Sequence, residues 1–149
     1  MNITHYNESH RGSLLALLEE VREYESALFD NYLLDSTSYL KNYLVIRDHM
    51  VFVAEEEGRV VGFMIGSHTT NYIVSVVILY VARTHRNQGI AFALKQALED
   101  LSRLRGYEQI VSQVRTNNTA SIALNHKSEW TMEVDKLYPD YYIWFTKDL

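Results

Sequence analysis

The chain has no cysteine and only one proline among its 149 residues. Without thiols, disulfides, thiolate metal sites and cysteine nucleophiles are all excluded, a usage that fits a reducing compartment. No apolar run approaches the roughly 20 residues that a membrane-spanning helix requires. The opening Met1-Asn2-Ile3-Thr4-His5 also lacks the basic-then-apolar order of a secretory signal. The expected location is the cytoplasm, with no membrane partner. Basic residues are not in excess either: 14 Lys and Arg against 19 Asp and Glu give a formal charge of -5. Broad nucleic-acid binding wants a basic face, so no nucleic-acid partner is expected, and cationic small molecules are mildly favoured. What is present, 47% hydrophobic and 22% charged residues, is a globular composition. The length fits one domain over residues 1–149 with a single core. No repeat, low-complexity tract or interdomain linker is visible.

The stretch from Val74 to Gly106 organises the pattern. Val74, Val76 and Ile78 interleave with Ile73, Val77, Leu79 and Val81, so both faces of an extended segment are apolar, as in a buried central strand. Leu94, Ala97, Leu98, Leu101 and Leu104 then recur at helical steps. Between them, Arg86-Asn87-Gln88-Gly89-Ile90-Ala91 is a strand-to-helix turn. Gly89 admits backbone angles closed to other residues and a close ligand approach. The first amides of the following helix have no internal partner and suit an anion such as a pyrophosphate.

Around this unit the chain reads in order. Ile3 to Tyr6 is a short edge strand, and Ser9 or Ser13 can cap a helix carrying Leu14, Leu15, Leu17, Leu18 and Val21. Glu19, Glu20, Glu23 and Glu25 crowd its end, where carboxylates oppose the helix dipole; a solvated acidic face is the simplest reading. Asp35-Ser36-Thr37 caps a second helix with Tyr39, Leu40, Tyr43, Leu44 and Arg47. Met50–Ala54 and Val60–Ile65 form a hairpin about Glu56-Glu57-Gly58, and Gly66 to Asn71 is a loop. Gly106 closes the long helix. A strand around Ile110 to Val114, a short helix opened by Thr116-Asn117-Asn118-Thr119 and running through Lys127, and strands near Thr131–Leu137 and Tyr141–Thr146 complete the chain, with Pro139 at the last turn.

With the Arg86-x-x-Gly89-x-Ala91 turn in strand-turn-helix context, preceded by Leu79-Tyr80-Val81 and followed by Asn118, Ile122, Leu124, Lys127 and Trp130, the chain resembles the GCN5-related N-acetyltransferase (GNAT) family over Val51 to Phe145. The resemblance implies an α/β (α+β) fold: a central mixed, mostly antiparallel sheet of about seven strands, splayed at the central strand and flanked by about four helices. It implies acetyl-CoA as cosubstrate and transfer of the acetyl group to an amine of a small molecule or peptide through a tetrahedral intermediate. A homodimer is compatible with it. Carried over by position, main-chain groups of Leu79, Tyr80 and Val81 would pair with the pantetheine arm. Arg86, Asn87, Gln88, Gly89, Ile90, Ala91 and Phe92 would cradle the pyrophosphate, and Asn118 would reach the pantetheine or the sulfur. Asn118 is equally a helix N-cap by type.

The chemistry needs a neutral amine, donors for the oxyanion and a proton for the leaving sulfur. The Leu79 amide is the natural oxyanion donor. Where the family commonly carries a tyrosine to protonate sulfur, this chain has Asn125, whose amide has no usable proton to give. Where a glycine usually precedes the aromatic, it has Glu129. Tyr80, Tyr138, Tyr141 and Tyr142 are alternative acids by type among 11 tyrosines. The central strand bears no carboxylate, which leaves His68, Asn71, Glu23, Glu25, Asp30 and His126 as bases, directly or through water, while His85 reads as a turn residue near the phosphates. No His-x-x-x-His spacing points to a metal. Asn125 and the missing strand carboxylate also admit a non-catalytic acyl-CoA-binding regulatory module, and the fold alone admits a structural interaction domain.

Overall fold

The apolar stretch around Val74 forms the middle of a seven-stranded sheet. The computed structural model describes residues 1–29 and 50–149. Its strands are β1 (Asn2–His5), β2 (Met50–Glu56), β3 (Arg59–His68), β4 (Ile73–Val81), β5 (Gln109–Arg115), β6 (Thr131–Val134) and β7 (Tyr142–Asp148), and its helices are α1 (Arg11–Tyr24), α2 (Ile90–Leu104) and α3 (Thr119–Lys127). The spatial order is β1-β2-β3-β4-β5-β7-β6. Every neighbouring pair is antiparallel except β4 and β5. The architecture is thus the mixed α/β sheet expected. Three of the anticipated four helices fall among the described residues; the second opening helix, from Asp35 to Arg47, and Asp30 lie outside them.

The β2–β3 hairpin closes through Glu57 and Gly58, both at positive φ (51° and 76°), the geometry that matches the twist of the flanking strands. β3 runs on through Gly66 to His68, so Gly66 is a strand residue and not the start of a loop. Sheet packing explains it. On the face of Gly62 and Gly66 a Cβ would lie 3.1 Å from Ile90 Cγ2 and 2.8 Å from Leu98 Cδ1, respectively. The two missing side chains let α2 settle directly on the sheet, burying Ile90, Leu94 and Leu98 to 2% exposure or less, each worth roughly 1.5–3 kcal/mol. Leu104, counted in the apolar stripe, is instead 84% exposed at the helix end. The opposite face of the sheet, bearing Phe63 and Tyr80, receives α1 through Tyr80 Oη and Glu20.

The start of α1 differs from the expected serine caps. Asn7 caps the short 3-10 turn that leads into it: its Oδ1 accepts from Ser9 N (2.9 Å), and its own N–H donates to His10 Nδ1 (3.0 Å). Ser13 Oγ is committed elsewhere, accepting from Val60 N at 2.8 Å. His10 in turn reaches Glu55 on β2 at 3.2 Å.

Two substitutions probe this packing. Gly62→Val places a branched side chain against Ile90 and the Tyr80 carbonyl 3.3 Å from the added Cβ, and should cost about 1–3 kcal/mol in chemical denaturation. Glu129 holds a left-handed φ of 63° just past α3, so Glu129→Gly should raise stability by about 1 kcal/mol; no gain would contradict the assigned strain.

Candidate active site in the splayed sheet

β4 and β5 pair only over Ile73–Ser75 and Gln109–Val111, although both strands continue well beyond. The cause lies on the other edge of β4. Against β3, Ile78 faces Ile65 and Val76 faces Gly66, leaving Val77 as an extra residue in β4. Such a bulge bends its strand and strengthens the local twist, and this one falls directly after the last β4–β5 pair. The strands therefore separate into a V.

The open edge of β4 has a defined polarity. Ala82 N–H donates to Val61 O at 2.8 Å. Main-chain groups alternate along an antiparallel strand, so those of Ile78 and Tyr80 turn to β3, whereas those of Leu79 and Val81 turn into the gap. Val81 O indeed accepts from Arg86 Nε at 3.2 Å. Of the three residues Leu79, Tyr80 and Val81, the alternation thus brings the main chain of the first and third to the gap. Tyr80 contributes its ring, with Arg86 Cζ 5.3 Å from its centroid.

Past β4 the turn carries Asn87 at φ 62° and Gly89 at φ 79°. Arg86, Asn87, Gln88 and Gly89 are exposed, and Gly89 is the N-cap of α2, with no side chain capping the helix. The first amides of α2 are thereby left open, with the positive end of the helix dipole behind them. A cavity of about 320 Å³ lies along this edge, lined by Val81, Arg86, Gly89, Ile90, Ala91 and Phe92 among others. A second, of about 260 Å³, occupies the V and is lined by Ser75 to Leu79, Val111 to Arg115, Asn125 and Trp144. Leu79, Asn118 and Ser121 line both, so the two meet at the open amide of Leu79. Asn118 caps α3, its Oδ1 accepting from Ser121 N at 3.1 Å, which leaves its side-chain NH2 as a donor.

Asn125 is buried at 3% exposure. Its Oδ1 accepts a hydrogen bond from Lys95 Nζ. Lys95, equally buried, stacks over the Trp130 ring at 3.6 Å, and Trp130 Nε1 donates to Glu99 at 2.8 Å. Burial lowers the Lys95 pKa to about 7, with Glu99 opposing the shift and Lys147 adding to it. Lys95 was not among the sequence candidates. Its signal was a lysine directly after Leu94, inside the wide apolar stripe of α2, where a solvated lysine is not expected.

The acid and base candidates are dispersed. Tyr80 donates to Glu20 Oε2 at 2.8 Å, and burial together with that carboxylate pushes its pKa well above the usual phenol range. It is a hydrogen-bond donor to Glu20, not an acid at neutral pH. Tyr138 and Tyr141 are 57% and 61% exposed, while Tyr142 lines the V cavity. His68, Asn71 and Glu23 are exposed, and exposed His126 stacks edge-on to Phe145. His85 is held by Glu56 at 2.5 Å beside the turn. The acidic end of α1 divides: Glu19 and Glu23 face solvent, but Glu20 accepts from Tyr80 and from Arg83 N, and Glu25 pairs with Arg86 at 2.9 Å. The solvated-face reading holds for the first two alone.

A model of the acetyltransferase (GNAT) family matches residues 14–128. Among solved structures, the ribosomal-protein-alanine N-acetyltransferase of Brucella melitensis aligns over 100% of both chains at 25% identity with a TM-score of 0.79. The PaiA N-acetyltransferase of Thermoplasma acidophilum, in complex with coenzyme A, covers 100% of both chains at 18% identity and a TM-score of 0.80. YncA of Salmonella typhimurium, a putative acetyltransferase with its cofactor acetyl-CoA, shows 19% identity and a TM-score of 0.76 over 100% of this chain and 94% of its own. No curated protein matches the chain. The family match spans the bulged strand, the open turn and the helix that follows it, and the chain belongs to the GNAT family of acetyltransferases.

Proposed function

We propose that the protein is an N-acetyltransferase that moves an acetyl group from acetyl-CoA to an amine of a small molecule or peptide. The observation that carries this reading is the continuous polar edge made by the gap-facing main chain of Leu79 and Val81 and the uncapped N-terminus of α2 at Gly89. A pantetheine arm, with its two amides, fits that edge as an added strand. The amides from Asn87 to Phe92 take the pyrophosphate. The carboxamide of Asn118, with its oxygen engaged in capping, offers its NH2 to the arm or the sulfur.

With the thioester at the meeting of the two cavities, its carbonyl oxygen falls against the Leu79 N–H. That donor is fixed by the strand and needs no reorganisation as negative charge develops. The acceptor amine enters from the V cavity, whose far wall carries Gln113, Tyr142 and Trp144. Asp135 holds part of this wall: its Oδ2 accepts from Gln113 Nε2 at 3.3 Å and Trp144 Nε1 at 2.7 Å, and hydrogen bonds from Tyr138 N and Trp144 are among the causes that keep its carboxyl below the ordinary range. Side chains fixed in this way orient an acceptor.

Isothermal titration should give an acetyl-CoA dissociation constant between about 1 μM and 1 mM. Gly89→Ala should weaken it roughly tenfold: nothing beyond the adjoining chain lies within 4 Å of the added Cβ, so the loss comes from the backbone angle and from the ligand's approach. Absence of binding by the native chain would sink the proposal. A thiol-release assay over a panel of primary amines should then show acceptor-dependent turnover. Binding without any turnover would favour the acyl-CoA-binding module, which the amide at position 125 also suits.

A further inference from the structure

Lys95 is the least expected residue in the core. Lysine is almost never fully buried without a partner, yet Lys95 is 3% exposed, on the side of α2 that meets Asn125 of α3 and Trp130. Glu99, one turn on, directs its oxygens to Trp130 Nε1 at 2.8 Å and to Arg103 at 3.7 Å. The ammonium is held by the Asn125 carbonyl and the Trp130 ring. An apolar side chain at this position would pack as well with no charge to desolvate. Its surroundings give the charge a use. Lys95 and Asn125 line the V cavity that reaches Leu79. On its other side Lys95 lines a separate surface cavity of about 210 Å³, shared with Gln96, Glu99, Lys127, Glu129 and Lys147. Lys95 therefore stands between the interior of the splay and the surface.

We propose that Lys95 is the proton donor to the leaving sulfur and that Asn125 positions its Nζ. Lys95 would supply the proton that the amide of Asn125 cannot give. The inference rests on the acetyl-CoA reading above. The acceptor nitrogen attacks the thioester carbon, and the tetrahedral intermediate collapses with cleavage of the C–S bond, whose electron pair stays on sulfur. The sulfur takes a proton from Lys95, leaving it neutral. The nitrogen releases its surplus proton to water, and Lys95 regains one from solvent through the surface cavity. The net change is one proton moved from nitrogen to sulfur.

The electrostatics agree with a donor working near neutrality. Burial is the main cause that brings the Lys95 pKa to about 7; Glu99 on α2 opposes it and Lys147 on β7 assists it. Lys127 and Glu129 face it across the outer cavity, and Arg115 of β5 lines the inner one. The ammonium population falls as pH rises through about 7, so a rate that needs this donor declines on the alkaline side.

The direct test needs no acceptor. In the CoA complex a thiolate and the Lys95 ammonium hold each other charged, so the lysine keeps its proton to higher pH than in the free protein and ultraviolet titration of the CoA thiol on the native protein should show its acidity raised at least tenfold over free CoA. Lys95→Met should return it to the free value while CoA affinity stays within about threefold, since methionine fills a similar volume. With an acceptor in hand, Lys95→Met should lower kcat about 100-fold and abolish the alkaline decline, and adding Asn125→Tyr should restore much of the rate. A native complex whose CoA thiol titrates like free CoA, or a raised acidity that survives Lys95→Met, would overturn the proposal; the native titration decides even if the variant fails to fold. Failure of CoA to bind at all is a different result, which overturns the acyl-transfer reading and this inference with it.

Discussion

The loss of pairing between β4 and β5 after Ser75 and Val111 is the constraint on which the rest of the site depends. Interior sheet strands normally satisfy both edges, because an unpaired buried amide or carbonyl costs about as much as a lost hydrogen bond. Here the extra residue at Val77 bends β4 away and leaves the Leu79 amide facing a cavity. The bent strand also delivers the chain to the turn at Arg86 to Gly89, so the open strand edge and the open helix end lie on one path. Gly62 and Gly66 complete the arrangement by letting α2 lie against β3, which fixes the helix N-terminus relative to the strand. A ligand with a peptide-like arm and a diphosphate matches both halves at once.

Around this edge, the polar groups form two sets with different effects. Glu20 and Glu25 of the first helical segment hold Tyr80, the Arg83 amide and Arg86, tying the opening of the chain to the turn. Glu25 and Arg86 are partly exposed, so their pair adds little stability in itself and serves chiefly to place the guanidinium near the cavity mouth. The second set, Lys95 with Asn125, Trp130 and Glu99, is interior. A lone lysine there would be costly, and the amide carbonyl and aromatic face lower that cost without neutralising the charge. The amide at position 125 is in this way the partner of the buried lysine on α2.

The fold was legible in the sequence wherever a local rule acts alone. The β2–β3 hairpin follows from two apolar runs about a Glu-Gly turn, and the helix after Gly89 from its apolar repeat and its glycine. Where two effects overlap, the signal was lost. Gly66 reads as a loop because glycine usually marks one, yet it serves close helix packing within β3. The bulge at Val77 has no signature, since a strand apolar on both faces hides a change of phase. The turn that opens the α2 N-terminus was readable because it depends on contiguous residues. The Lys95–Asn125 contact was not, because it joins positions 30 apart on different helices. For the same reason the sequence does not reveal that Glu20 holds the Tyr80 hydroxyl, which removes it as an acid.

We propose that acetyl-CoA completes the unpaired edge of β4 and the open end of α2 together. Residue-resolved amide hydrogen exchange with and without acetyl-CoA tests it most directly. New protection is expected at the Leu79 amide together with the amides from Gly89 to Phe92, while Tyr80, already bonded to β3, changes little. Protection confined to the turn, with Leu79 exchanging as fast as in the free protein, would contradict it.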